Sequence, residues 1–241
     1  NFFNSFKSVG GSSESYFWLN NTGSLLNQTI CGLFTGIPNY IMVPIAAKMV
    51  KKWGARATSI IAGLFGFFAY MTLFFVGFHP FGQTFKDHYI FKLFWVIFVL
   101  SICGLPNKIL NVSGQIVTAE ALDYMEWKHG LRNEALVTTV QGYFGKLATS
   151  VTGWLSGMVL TWINYVPLTD SLGNAVPQTD PTMLNGIWAV FCILPALARG
   201  LYGVSFIIYP IHGDLQQQMI IELAEKRAQI LSEQEAKDHQ A

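Results

Sequence analysis

Charge is what this 241-residue chain has least of. Asp, Glu, Lys and Arg together make up 12% of it, about half of the roughly 25% usual in soluble domains. With aromatic residues at 15%, the composition excludes a water-soluble globule and places the chain in lipid. The formal net charge is +1, so nothing in the whole molecule points to nucleic acid, and the few charges matter by position. Cysteine is scarce too: Cys31, Cys103 and Cys192 lie within apolar runs, without ligand spacing, and read as small core residues. The histidines (His79, His88, His129, His212, His239) fall in loops or the tail, so no metal site is suggested, and no glycine-rich phosphate loop is present. Paired acids, or a nucleophile with its base, are missing from the apolar runs. These absences exclude an intramembrane enzyme, and the lack of repeated polar rings excludes a channel.

What the chain does have is long apolar segments. Five are read as spans, at about 24–47, 57–78, 91–118, 136–163 and 184–209, by the rule that about 20 apolar residues cross a bilayer. Backbone groups cannot stay unpaired in hydrocarbon, and these runs are too long and uniform for barrel strands, so the expected fold is all-α. Basic residues then orient it. Lys48, Lys51, Lys52 and Arg56 separate the first two spans, Lys128 and Arg132 the third and fourth, and Lys226 and Arg227 follow the last. Those faces are expected to be cytoplasmic, and 1–23, 79–90 and 165–183 to face outward. The tail, 211–241, carries Leu215, Met219, Leu223, Ile230 and Leu231 among acids and bases, the pattern of an amphipathic helix lying on the cytoplasmic surface.

Between the third and fourth spans sits a cluster, Asp123-Tyr124-Met125-Glu126-Trp127-Lys128 followed by Arg132-Asn133-Glu134, with Lys146 twelve residues beyond its last acid. It reads as a short membrane-face loop. The pattern D-Y-x-E-x-K-x-x-x-R-x-E, then V-Q-x-x-x-x-K, resembles the junction of helices ten and eleven in the glycoside-pentoside-hexuronide:cation symporters, the melibiose-permease branch of the major facilitator superfamily. Lys51-Lys52-Trp53-Gly54-Ala55-Arg56 likewise looks like a degenerate facilitator loop motif, although a tight turn carrying inside-positive charge accounts for it equally well.

The resemblance implies the C-terminal six-helix half of such a transporter: five complete transmembrane helices, plus the end of another at Asn1–Phe6. The partners it implies are a sugar or glycoside substrate, the lipid bilayer and an N-terminal half of the same chain. The coupling ion would be H⁺ or Na⁺, with no cofactor. Asp123, Tyr124, Glu126, Lys128, Arg132 and Glu134 would form the cytoplasmic gate, and Lys146 would sit in the central cavity beside the cation and sugar sites. Where the family carries a Thr beside Gln141 and a Trp upstream, this chain has Gly142 and Asn111, departures that bear on the sugar and not on the fold. A lysophospholipid-type lipid transporter on the same fold would share the junction pattern but would need a side opening.

Depth supports the cavity reading from the residues alone. Lys146 lies ten residues into its span, about 15 Å at 1.5 Å per residue, near the middle of a core about 30 Å thick. A lysine there costs about 2.5–3.5 kcal/mol to insert, and normally faces a cavity or a counter-ion. Lys108 sits at similar depth, beside a narrow stripe of Asn107, Asn111, Gly114 and Thr118 that either lines water or packs a partner helix. Gln141, just over a turn from Lys146, is expected to hydrogen-bond substrate hydroxyls. With no acid inside any span until Glu120, the charges of Lys108, Lys146 and Arg199 call for a partner, either acids of the other half or an anionic substrate such as a hexuronide. The glycosylation triplets at Asn20, Asn27 and Asn111 read as chance matches.

Overall fold

The computed structural model describes residues 7–78, 89–171, 174–211 and 213–238. Residues 1–6, read above as the end of an earlier span, lie outside this range, as do His79, His88, His212 and His239. Helix dominates: α1 is Lys7–Thr22, α2 Leu26–Phe78, α3 Tyr89–His129, α4 Glu134–Trp162, α5 Pro181–Ser205 and α6 Asp214–Asp238. Between α4 and α5, Leu168–Thr169 and Ala175–Val176 pair as a minimal antiparallel hairpin, and a 3-10 turn, Phe206–Ile208, follows α5.

The stretch α2 contains two of the expected spans, folded back on one another at Gly54, whose φ of 79° and ψ of 160° break the helical path. Glycine reaches such positive φ without steric cost. The Thr58 hydroxyl donates to the Met49 carbonyl at 3.4 Å, whereas nine residues of straight helix would separate them by about 13.5 Å. The arms 26–53 and 55–78 are therefore close neighbours, and Ala46 and Ala62 share one buried cluster with Ile109, Leu110, Tyr202 and Phe206.

Among the described residues, three stretches are long and apolar enough to cross a membrane: Leu26–Phe75, Leu93–His129 and Pro181–Ile208. α4 has the length, at 29 residues, but not the hydropathy. Its threonines, Gln141, four glycines, Lys146 and two serines dilute its apolar content, as a helix facing water on one side requires.

α1 occupies residues that the sequence reading placed in an outer connection. Its first half, with Gly10, Gly11, Ser12 and Ser13, carries little apolar signal. Its second half is held by tertiary contacts. Phe17 and Trp18 are fully buried, and Phe17 stacks on Phe191 of α5 with centroids 4.1 Å apart and planes within 4°. Asn20 is buried as well, donating to the Tyr16 carbonyl and the Tyr165 hydroxyl and accepting from the Gln178 backbone N–H. Asn27, also buried, donates to Thr22, so neither amide is accessible to a glycosylating enzyme in the folded chain.

The second arm of α2 and α5 cross in close backbone contact. A Cβ on Gly63 would lie 2.5 Å from the Gly203 Cα and 2.9 Å from the Arg199 carbonyl, so the backbones meet with no side chain between them, the small-residue packing that membrane helices use. Gly63→Val is expected to lower the melting temperature of the detergent-purified protein by forcing the helices apart, at a cost of about 1–3 kcal/mol or more. Gly142→Ala, at a position with open space around it, is the matched control. Equal melting temperatures for Gly63→Val and wild type would show that this crossing is not needed for stability.

Candidate functional site

The charged junction is helical where the sequence suggested a loop. α3 continues through Ala119, Glu120, Ala121 and Leu122, strong helix formers, to His129. It stops at Gly130, whose φ of 68° and N–H bond to the Glu126 carbonyl at 2.8 Å form a left-handed cap. Only 130–133 is irregular. α4 restarts under Asn133, whose side chain accepts the Leu136 N–H at 2.9 Å. The acids consequently stand on helical spacing, with Glu120, Asp123, Glu126 and Trp127 along one face of α3.

That face meets α6. The Arg227 guanidinium donates to Asp123 Oδ1 at 2.9 Å and to Glu126 at 3.0 and 2.5 Å. Arg132 reaches the same acids at 3.0 and 3.4 Å and Glu134 at 3.0 Å. The Trp127 indole N–H donates to Glu222 at 2.6 Å, and Glu120 accepts from Tyr209 at 2.6 Å and Gln216 at 2.7 Å. Hydrogen bonds from Arg227 and Arg132 engage both Glu126 carboxylate oxygens. Lys128 stands apart, donating to the Tyr124 hydroxyl at 3.3 Å. Both arginine side chains are more than 40% exposed, so each pair contributes at most about 1 kcal/mol. Beneath them Ile211, Met219 and Leu223 are buried beside Tyr124, Trp127 and Tyr209, at about 1.5–3 kcal/mol for each fully buried side chain. Apolar contact therefore docks the tail helix, and the ion pairs set its register. Arg227, Glu222, Gln216 and Tyr209 were not singled out from sequence as partners of the junction. The spacing of Gln216, Met219, Leu223 and Arg227 at three, four and four is the signal that marks the docking face.

The residues expected at membrane depth do not form one cluster. Gln141 of α4 donates to the Thr118 hydroxyl of α3 at 2.9 Å, beside a cavity of about 320 Å³ that Gly114, Thr118, Gln141, Tyr202 and Ser205 line. Asn107 turns instead to α5, accepting from Arg199 Nε at 3.0 Å. Lys108 is half-buried and points its ammonium at the Tyr40 ring of α2, 5.6 Å from the centroid, a cation–π contact. Asn111 is half-buried and Lys146 is exposed on α4. Among the described residues, no carboxylate lies within pairing distance of Lys108 or Lys146.

Arg199 departs from the expectation that it needs a partner from outside. It is 5% exposed and served within the bundle, by Asn107, by the Pro195 carbonyl at 3.0 Å and by the Tyr70 hydroxyl at 3.3 Å, with its guanidinium carbon 4.2 Å from the Tyr70 ring centroid. Arg199 is thus hydrogen-bonded within the bundle, although, as for Lys108 and Lys146, no carboxylate pairs with it among the described residues.

Residues 8–213 match the family described as MFS/sugar transport protein. The chain belongs to that family. Its curated relatives include an uncharacterized symporter of Bacillus subtilis (strain 168), 30% identical over 191 residues, which are 78% of this chain and 37% of the relative. An isoprimeverose transporter of Lactiplantibacillus pentosus is 28% identical over 49% of this chain and 23% of its own length. A protein described as a sulfoquinovose importer of Escherichia coli (strain K12) is 32% identical over 39% of this chain and 20% of its own. No solved structure gives a significant match. The chain spans well under half the length of these relatives. Membership agrees with the resemblance read from 123–146, and with a membrane-embedded bundle of helices. In this MFS chain, the sequence-level candidates are spread over the α3–α6 face, the α3–α4 contact at Gln141, the open face of α4, and the side of α3 where Asn107 meets α5 and Lys108 meets α2.

Proposed function

We propose that the whole protein is a secondary active transporter that moves a sugar or glycoside together with H⁺ or Na⁺ by alternating access around a midplane site. The observation that carries this reading is α4. It has the length to cross a bilayer but is diluted by polar residues, and it presents Lys146 on a face the described residues leave uncovered. Such a face fits the wall of a water-filled cavity shared with another half of the same chain. Gln141 would hydrogen-bond hydroxyls from the neighbouring turn, and Asn111 and Lys108 would line the α3 side. Asp123, Glu126, Arg132 and Glu134, with Tyr124 and Lys128, would close the cytoplasmic side, and the docked tail α6 would lie on that surface.

Lys108 and Lys146, without a carboxylate beside them among the described residues, favour a negatively charged sugar. In keeping with this, relatives are described as importing sulfoquinovose and exporting 2,3-dihydroxypropane-1-sulfonate. Uptake of a labelled hexuronide into vesicles carrying the full chain is expected to be inhibited more strongly by unlabelled uronate than by its neutral parent sugar. A charge-assisted contact of about 1.5–3 kcal/mol makes the difference about tenfold or more, and Lys108→Gln narrows it. Equal inhibition by acid and neutral sugar, unchanged in Lys108→Gln, would refute the anionic substrate and make Lys108 a structural partner.

A further inference from the structure

A cavity at the bend of α2 has no place in the transport reading. It measures about 890 Å³ and opens where the Gly54 turn meets the 3-10 turn after α5 and the start of α6. Lys51 and Arg56 line it, with Trp53 at the side, and its remaining wall is largely apolar, including Val50, Ile116 and Ile207. Lys48 and Lys52 stand on the same turn. Arg56 is anchored there, donating to the Phe206 carbonyl at 3.2 Å and the Ile207 carbonyl at 2.7 Å, so its charge is fixed at the cavity. The one acid in the lining, Glu120, is already engaged by Tyr209 and Gln216. Among the described residues, no acid pairs with Lys48, Lys51 or Lys52.

We infer that this cavity binds the headgroup of an anionic phospholipid from the adjoining leaflet. Three features select that ligand. Both arms of α2 end at the turn, so the cations stand at the bilayer surface, where Trp53, 48% exposed, sits as interfacial tryptophans do. Positive charge held between helices above an apolar wall matches a phosphate joined to acyl chains, and basic pockets of this kind retain anionic headgroups. Exposed apolar side chains continue from the rim along both flanking helices, Ile61, Leu64 and Phe68 on α2 and Leu197, Leu201 and Val204 on α5, which gives the chains a surface to lie on. Of the side chains in the lining that could accept from sugar hydroxyls, Glu120 and Gln216 already bond one another, which leaves Gln217. The inference rests on the membrane placement of the family, not on any substrate.

The full chain in lipid nanodiscs provides the test, with Trp53 as reporter. The Trp53 signal is the fluorescence difference between wild type and Trp53→Phe, and it is quenched by lipid brominated on its acyl chains, either phosphatidylglycerol or phosphatidylcholine at equal mole fraction. Lys48 and Lys51 are the residues to change, because Lys52 lies over the Trp53 ring at 6.0 Å and would disturb the reporter itself. Enrichment of the anionic lipid is expected at about fivefold per lysine. It falls by about that factor for each lysine removed in Lys48→Gln/Lys51→Gln, leaving the share held by Lys52 and Arg56, with the melting temperature unchanged, and is insensitive to glycerol 3-phosphate in solution. Equal quenching by both lipids in wild type, or a preference undiminished in the double variant, overturns the proposal. Displacement by glycerol 3-phosphate also overturns it, in favour of a soluble phosphate ligand. No arm measures uptake, so a wrong transport substrate leaves the result untouched.

Discussion

Lys146→Ala is expected to abolish gradient-driven accumulation while leaving folding and insertion intact. The side chain is exposed on α4, so its loss removes no packing from the bundle, and alanine is the strongest helix former. What it does remove is the charge on the open face of the helix. An ammonium at that depth costs about 2.5–3.5 kcal/mol to insert, a cost a transporter recovers only by using it, through substrate or through a carboxylate of the other half. Deleting a charge-assisted contact weakens binding by about tenfold or more, and coupling, which needs both ligands in place, falls further. Ion-gradient-driven uptake in vesicles, normalised to inserted protein, measures it. Accumulation at the wild-type level would remove Lys146 from the site and, with it, the observation on which the transport geometry rests.

Arg199→Ala is expected to do the opposite, lowering stability before it touches transport. The guanidinium fills the space between α2, α3 and α5, joining Asn107, Tyr70 and the Pro195 carbonyl. Gly66 packs so closely on it that a Cβ there would lie 2.8 Å from Arg199 Cδ. Truncation leaves a cavity of nearly a whole side chain and strands the Asn107 and Tyr70 polar groups, together worth about 3–5 kcal/mol. Arg199→Lys keeps the charge but loses the fork that serves several partners at once, and should fall between the two. Melting temperature in detergent decides the matter. A stable Arg199→Ala protein that has lost uptake would make Arg199 part of the transport machinery instead of the scaffold.

The sequence alone determined the solvent and the type of element. Too little charge and runs of more than 20 apolar residues admit only helices in lipid, because an unpaired backbone group in hydrocarbon costs more than any other local choice can return. It also marked the bend at Gly54 through the basic turn, and the family through the spacing of Asp123, Glu126, Arg132, Glu134 and Lys146. Partnership, by contrast, was decided in three dimensions. Adjacent residues on a helix point about 100° apart, so Asn107 and Lys108, inseparable in sequence, go to different neighbours. Arg199 looked like an unanswered charge because its partners, Tyr70 and Asn107, are 129 and 92 residues away. α1 was hidden for the same reason: its glycines and serines carry no apolar period, and contacts such as the stacking of Phe17 on Phe191 and the bonds of Asn20 to Tyr165 and Gln178 make it a helix of the core. Arg227 met Asp123 and Glu126 because the chain turns back after α5, a pairing across about a hundred residues that local pattern has no means to specify.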